Sequence, residues 1–163
     1  MGFLHNDIKL ENIVVGHNDS DKLYLIDFGL TYKFRNPDGT HIEKQKLNYF
    51  SGNFLFASIS ACRGRTKSRR DDLESAFYLL IYILNQGRLP WSNFGSKDAF
   101  QDYSFAQLVR ERLRKKYSTE LVSMIPESLK KCLKRVMCLR FDEDPPYDFI
   151  LQCLYDCFCQ SIA

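Results

Sequence analysis

The chain has 163 residues, 45% apolar and 26% charged, the balance of a soluble globular protein with apolar side chains enough for a sizeable core. Twenty-three Lys and Arg against 20 Asp and Glu leave a net charge of +3, too mild to argue for nucleic acid or a membrane as partner. The longest apolar stretch, Ala76 to Leu84, falls far short of the roughly 20 residues that cross a bilayer, and the first residues lack a signal peptide's charged and apolar regions. Met1-Gly2 begins a myristoylation pattern that Asn6 breaks, since that place calls for Ser or Thr. Six cysteines form no Cys-x-x-Cys pair and have no histidine at zinc-finger spacing. Free thiols are expected, those of the last three cysteines in buried helical positions, and a cytosolic or nuclear location with them.

In chain order, Ile13-Val14-Val15 and Leu23-Tyr24-Leu25-Ile26 are short β-rich runs around a polar stretch from Gly16 to Asp21, which predicts a hairpin. Between Tyr32 and Arg70 no period persists and Asn36-Pro37-Asp38-Gly39 reads as a turn. A long ordered loop is expected there, of the kind that carries function in compact domains. For Lys67-Ser68-Arg69-Arg70 a phosphate-binding cluster, a nuclear signal and a solvated loop are all open, the last being the commonest fate of such runs. Asp72 to Asn85 is apolar nearly all round, with Leu73, Phe77, Leu80, Ile81 and Leu84 on one face, the pattern of a buried central helix that Gly87 is placed to stop. Further helices are expected around Phe100, Leu108, Val109 and Leu113; around Leu129, Cys132, Leu133, Val136 and Met137 after Pro126; and around Tyr147, Ile150, Leu151, Leu154, Tyr155 and Phe158 after Pro146. Arg110, Arg112, Arg114, Lys115 and Lys116 should mark the polar side of the first of these. With no repeat and no linker, the expectation is one mainly helical α+β domain over residues 1–163, its helices around a buried central helix and a small β-hairpin near the N-terminus.

Two motifs flank that hairpin, His5-Asn6-Asp7-Ile8-Lys9-Leu10-Glu11-Asn12 before it and Asp27-Phe28-Gly29 after it. An Asp followed five residues later by an Asn, with Asp-Phe-Gly further on, belongs to the signature set of protein kinases. Phosphoryl transfer asks little covalent work of protein groups; it needs a hydroxyl aligned with the γ-phosphate and charge neutralised by magnesium and lysine. In that chemistry Asp7 would accept the hydroxyl proton, Lys9 would reach the γ-phosphate, and Asn12 and Asp27 would offer oxygen ligands to Mg2+. Gly29 leaves the backbone free to turn after the metal ligand.

The chain also carries Leu25-Ile26-Asp27-Phe28-Gly29-Leu30, Ala57-Ser58-Ile59 where most kinases have Ala-Pro-Glu, Ser68-Arg69-Arg70-Asp71-Asp72-Leu73-Glu74-Ser75, Leu89-Pro90-Trp91, and Leu139-Arg140-Phe141-Asp142 with Pro146-Tyr147. With these it resembles the large, C-terminal lobe of the casein kinase 1 family along nearly its whole length. The resemblance implies a serine/threonine kinase using ATP and Mg2+ on protein substrates that are acidic or already phosphorylated, monomeric by default. It implies Asp7 and Lys9 as catalytic residues, Lys9, Asn12 and Asp27 toward the nucleotide, and Asn12 and Asp27 toward the metal. His5 would be a packing and hydrogen-bonding residue, and Asp72 would hydrogen-bond the catalytic-loop backbone, unless it serves only as a helix N-cap. In the family a Gly-rich loop and a strand lysine paired with a helix glutamate precede this point. A truncated lobe is therefore expected, with the missing N-terminal lobe as its first partner and little activity alone. The alternative is a non-catalytic kinase-like module that binds a protein partner. Four departures bear on this: Asn6 for an arginine, Asn53 for a threonine linking the catalytic Asp and Lys, Leu55 for an arginine that receives a substrate phosphate, and Gly95 for a lysine after Trp91, with Lys97 displaced.

Overall fold

Two-residue strands are too short to show alternation in a sequence, and one such pair sets the frame of the N-terminal region. In the computed structural model, which describes residues 2–95 and 104–162, β1 (Phe3–Leu4) pairs antiparallel with β4 (Tyr32–Lys33), Leu4 opposite Tyr32. Nested within that ladder is the expected hairpin, β2 (Ile13–Val15) against β3 (Leu23–Leu25), with Val14 opposite Tyr24 and the turn closed by the Gly16 N–H to the Lys22 carbonyl at 2.9 Å. The chain thus doubles back twice, and the segments between the ladders, residues 5–12 and 26–31, are brought side by side. The Ile26 N–H donates to the Asn12 carbonyl at 2.9 Å and joins them directly.

The long segment after β4 is ordered as expected. Asn36 and Gly39 close the turn, with the Gly39 N–H on the Asn36 carbonyl at 2.9 Å and Gly39 at φ +84°. Further on, the Leu47 N–H meets the Gly64 carbonyl at 2.6 Å and the Thr66 N–H the Gln45 carbonyl at 3.0 Å. A one-turn helix, α1 (Ile59–Cys62), interrupts the loop; Ser58 caps it by accepting from the Ala61 N–H at 3.0 Å.

Helix α2 (Arg69–Leu84) starts three residues before the apolar pattern does. Its start is set by polar chemistry: the Ser68 N–H donates to the Asp71 carboxylate at 2.7 Å, one half of a capping box. It ends at Gly87, whose φ of +79° and N–H bond to the Tyr82 carbonyl at 2.8 Å make the left-handed cap that the sequence suggested. Phe77, Tyr78, Leu79 and Ile81 are buried in its middle, whereas Ile83 and Leu84 are half exposed. The contacts of the chain fall into two units, Met1–Leu79 and Leu80–Ala163, with the boundary inside α2.

The second unit contains α3 (Phe105–Lys116), α4 (Thr119–Ser123), α5 (Glu127–Met137) and α6 (Tyr147–Ile162). α5 packs on α6, with the 3,4-spaced residues Leu129, Cys132, Leu133 and Val136 of the one and Ile150 and Cys153 of the other buried. Burial beside Cys153 pushes the Cys132 thiol up to about 12. Two expectations on burial fail here. Arg112 and Lys116 are 0% and 2% exposed and lie over the Trp91 ring at 5.6 and 4.7 Å, so α3 carries two of its cations inward. On α6 the expected helix is present, and Tyr147, Leu151, Tyr155 and Phe158 are exposed on it. Of the last three cysteines only Cys153 is buried; Cys159 is exposed. Phe100 and Lys97 lie outside the described residues. Among the described residues no helix is long and apolar enough to cross a membrane.

Candidate active site

The segment from His5 to Asn12 is held from below by one carboxylate. Asp72, in the first turn of α2, accepts from the His5 N–H at 2.7 Å and the Asn6 N–H at 3.0 Å. Each amide takes its own carboxylate oxygen, and Asn6 itself is left-handed, at φ +67°, a conformation that Asn tolerates better than most residues. Burial pushes the Asp72 carboxyl above its ordinary range, and the two N–H bonds and the charge of Lys67 pull it back. Asp72 thus ties two successive backbone amides of the segment to α2.

His5 uses both ring nitrogens. Nε2 meets the Ile26 carbonyl at 3.0 Å, which can only accept, and Nδ1 takes the Asp7 N–H at 3.3 Å. The proton therefore sits on Nε2 of a neutral ring. That ring also meets Phe28 edge to face, centroids 5.3 Å apart, so His5 joins the two motifs without facing a substrate.

Asp7 is 7% exposed, and its Oδ2 receives the Lys9 ammonium at 2.6 Å and the Asn12 amide at 3.1 Å. A single 3-10 turn, Leu10–Asn12, folds Asn12 back so that the same amide nitrogen also reaches the Asp7 carbonyl at 2.9 Å. The bond to Asp7 holds the Lys9 ammonium above its ordinary value; burial opposes this, and the charges of Asp7, Glu11 and Asp27 support it. Asp27 is itself left-handed, at φ +62°, and exposed, with Oδ1 accepting the Gly29 N–H at 3.1 Å. A side chain on Gly29 would crowd that oxygen, its Cβ lying 3.1 Å away. Left-handed non-glycine residues are uncommon, and the two nearest this site sit one in each motif.

A divalent cation fits this donor set. Asn12 spends its nitrogen twice on Asp7, which leaves its amide oxygen as a candidate ligand; Asp27, an exposed residue, spends one oxygen on Gly29. One neutral and one charged oxygen suit magnesium, which takes few protein ligands and fills its octahedron with phosphate oxygens and water.

Asn53, which stands for the family's linking threonine, makes a local bond instead, turning its amide oxygen to the Phe56 N–H at 3.1 Å. Lys67-Ser68-Arg69-Arg70 is not a solvated loop: Lys67 and Ser68 are buried, Arg69 lies over the Phe34 ring at 4.8 Å, and Arg70 donates to the Ser60 hydroxyl at 3.2 Å. Sequence reasoning also missed Asp71 and Glu74. Asp71 accepts from the Ser58 hydroxyl at 2.5 Å, and Glu74 accepts from the Ile59 N–H at 2.8 Å and the Tyr78 hydroxyl at 2.6 Å. Together they fasten Ala57-Ser58-Ile59 to α2. Their spacing of three on a helix was the available signal, since it puts both on one face.

Comparison with known proteins follows the same lines. The sequence model of the fungal protein kinase family matches residues 1–84. A casein kinase 1-like protein of Oryza sativa subsp. japonica is 38% identical over 164 residues, covering 95% of this chain and 22% of that protein. A probable casein kinase I homolog of Encephalitozoon cuniculi is 38% identical over 151 residues, covering 91% of this chain and 46% of that protein. Casein kinase I homolog 2 of Schizosaccharomyces pombe is 34% identical over 157 residues, covering 94% and 35%. The chain therefore spans between about a fifth and just under half the length of these relatives.

Proposed function

Because the chain belongs to the casein kinase 1 family of protein kinases, we propose that it forms the catalytic large lobe of a serine/threonine kinase acting on protein substrates with ATP and Mg2+. The observation that carries this reading is the cluster in which Asp7 holds Lys9 and Asn12, while the Asn12 carbonyl accepts from the N–H of Ile26, the residue before Asp27. Asp7 orients the substrate hydroxyl and takes its proton as the oxygen–phosphorus bond forms and the bond from the γ-phosphorus to the β–γ bridging oxygen breaks. Lys9, kept charged by Asp7, neutralises the transferred group in this reading. Magnesium, held when bound by the oxygens of Asn12 and Asp27, supplies charge neutralisation across the phosphates. His5 and Asp72 touch no substrate and keep the loop in register. The Gly-rich loop and strand lysine that cover the nucleotide in the family come from a lobe preceding this one, so the chain by itself should hold ATP weakly. Location in the cytosol or nucleus is part of the same proposal.

A second reading, a non-catalytic module presenting this surface to a protein partner, is favoured by one feature: Asn53 engages Phe56 where the family links the catalytic Asp and Lys. One experiment separates the two. Joined to the N-terminal lobe of a casein kinase 1 relative, the chain should transfer γ-phosphate to serine or threonine peptides, with at least about a hundredfold loss in Asp7→Asn and Asp27→Asn while both stay folded. Activity undiminished in Asp27→Asn would refute its metal role, and an inactive but folded chimaera would favour the binding module.

A further inference from the structure

A buried lysine that the mechanism does not use lies beneath the catalytic loop. Lys67 is 7% exposed, in a small enclosed cavity lined also by Asn6, Ser51, Gly52, Asp71 and Asp72. Its ammonium directs its three hydrogens at the Asn6 carbonyl at 3.3 Å, the Ser51 carbonyl at 3.2 Å and the Ser51 hydroxyl at 3.4 Å. Its backbone is fixed separately, the Tyr32 hydroxyl donating to the Lys67 carbonyl at 2.9 Å. The close approach of the Ser51–Gly52 turn to the catalytic loop requires a glycine: Gly52 has φ +99°, and a Cβ there would stand 2.5 Å from the Asn6 carbonyl oxygen.

A cation in this place answers a deficit created by the sequence. Of the carboxylates at the loop, Asp7 is met by Lys9 at 2.6 Å and Asp71 by Arg70 at 3.8 Å, while Asp72 has Lys67 as its cation; residue 6, an arginine in the family, is here an Asn whose Nδ2 donates to the Leu30 carbonyl at 2.9 Å and whose Oδ1 is buried without a partner. Buried carboxylates without a nearby cation are costly. We propose that Lys67 is a positioning residue for the catalytic loop: its ammonium ties Asn6 to the Ser51–Gly52 turn and supplies from residue 67 the positive charge that the family carries on the side chain of residue 6. The tether is a property of this chain; its consequence for transfer rests on the kinase reading given above.

The test uses hydrogen exchange of the backbone amides of residues 5–12 in the 163-residue chain, with circular dichroism to confirm folding. Lys67→Met should raise exchange there by about tenfold, and Lys67→Arg should stay close to the parent. Asn6→Arg alone should also loosen the loop, because it forces a second cation into an enclosed cavity. Combined with Lys67→Met it should be tighter than either single change, a sign reversal that simple packing loss cannot produce. Should Lys67→Met not fold, Lys67→Gln, which keeps a donor and loses the charge, is read in its place. Unchanged exchange in the folded Lys67 variants, or additive effects in the double variant, would overturn the tether. In the chimaera with a family N-terminal lobe, Lys67→Met should lower kcat about tenfold and leave KM for nucleotide and peptide unmoved. A parent chimaera with no activity speaks against the kinase reading, and the exchange result still decides the tether.

Discussion

Lys67 and Leu55 are the residues whose substitution separates charge from shape. Burial lowers the Lys67 ammonium from its ordinary value, against the charges of Asp72, Asp71 and Asp7 that face it from α2 and the catalytic loop. Tyr32, the neighbouring phenol, is pushed up to about 12 by burial and stays neutral across the window in question. Between the lowered value of folded Lys67 and about 10.5, the unfolded chain holds the extra proton, so the Lys67 contribution to stability rises with pH there. The unfolding free energy of the parent minus that of Lys67→Met should therefore increase from neutral pH toward pH ~10. A difference that is flat or falling in urea titrations would show that the ammonium is not buried. At Leu55 the argument concerns substrates. A phosphate already on a peptide gains about 1.5–3 kcal/mol from an arginine, and a leucine offers nothing comparable. The active chimaera should thus treat a peptide and its upstream-phosphorylated form alike, and Leu55→Arg should favour the phosphopeptide about tenfold, through KM. A strong native preference would mean that another cation serves that pocket.

At the scale of elements, α2 is where the molecule is most exposed to single changes, because its first two turns hold three acids with three different duties. Asp71 binds Ser58 and Ser68, Asp72 binds the catalytic loop, and Glu74 binds Ile59 and Tyr78. Asp71 is 2% exposed, so Asp71→Ala would strand a hydroxyl and an amide in the interior and should cost about 3 kcal/mol in chemical denaturation. Less than about 0.5 kcal/mol would mean that water replaces the carboxylate. The other end of the helix depends on one glycine. Gly87→Ala puts a Cβ 3.4 Å from the Tyr82 hydroxyl at a left-handed residue and should cost about 1 kcal/mol, read as a fall in Tm.

On the whole-molecule scale, the β2–β3 hairpin and its surroundings leave Leu10, Val15, Leu23, Tyr24 and Phe28 exposed. Such a concentration of apolar side chains marks a surface made for a partner, and the preceding lobe of a kinase is the proposed one. The chain alone should then self-associate, and Val15→Lys with Leu23→Lys should weaken that association; a monodisperse monomer at high concentration in light scattering would argue against it. What the sequence determined by itself was local: the 3,4 spacing of α5, the hairpin runs at 13–15 and 23–25, the Gly87 stop, and the Asp-x-Lys-x-x-Asn and Asp-Phe-Gly motifs that carry the family likeness. Each is legible because its periodicity or chemistry is complete within a few residues. The tertiary structure alone decided what depends on residues far apart in the chain. The pairing of Leu4 with Tyr32, the turning inward of Arg112 and Lys116 toward Trp91, and the placing of Lys67 under Asn6 bring together groups that no local pattern connects. A charged residue reads as solvated until the fold supplies the carbonyls, carboxylates or ring that make its burial tolerable.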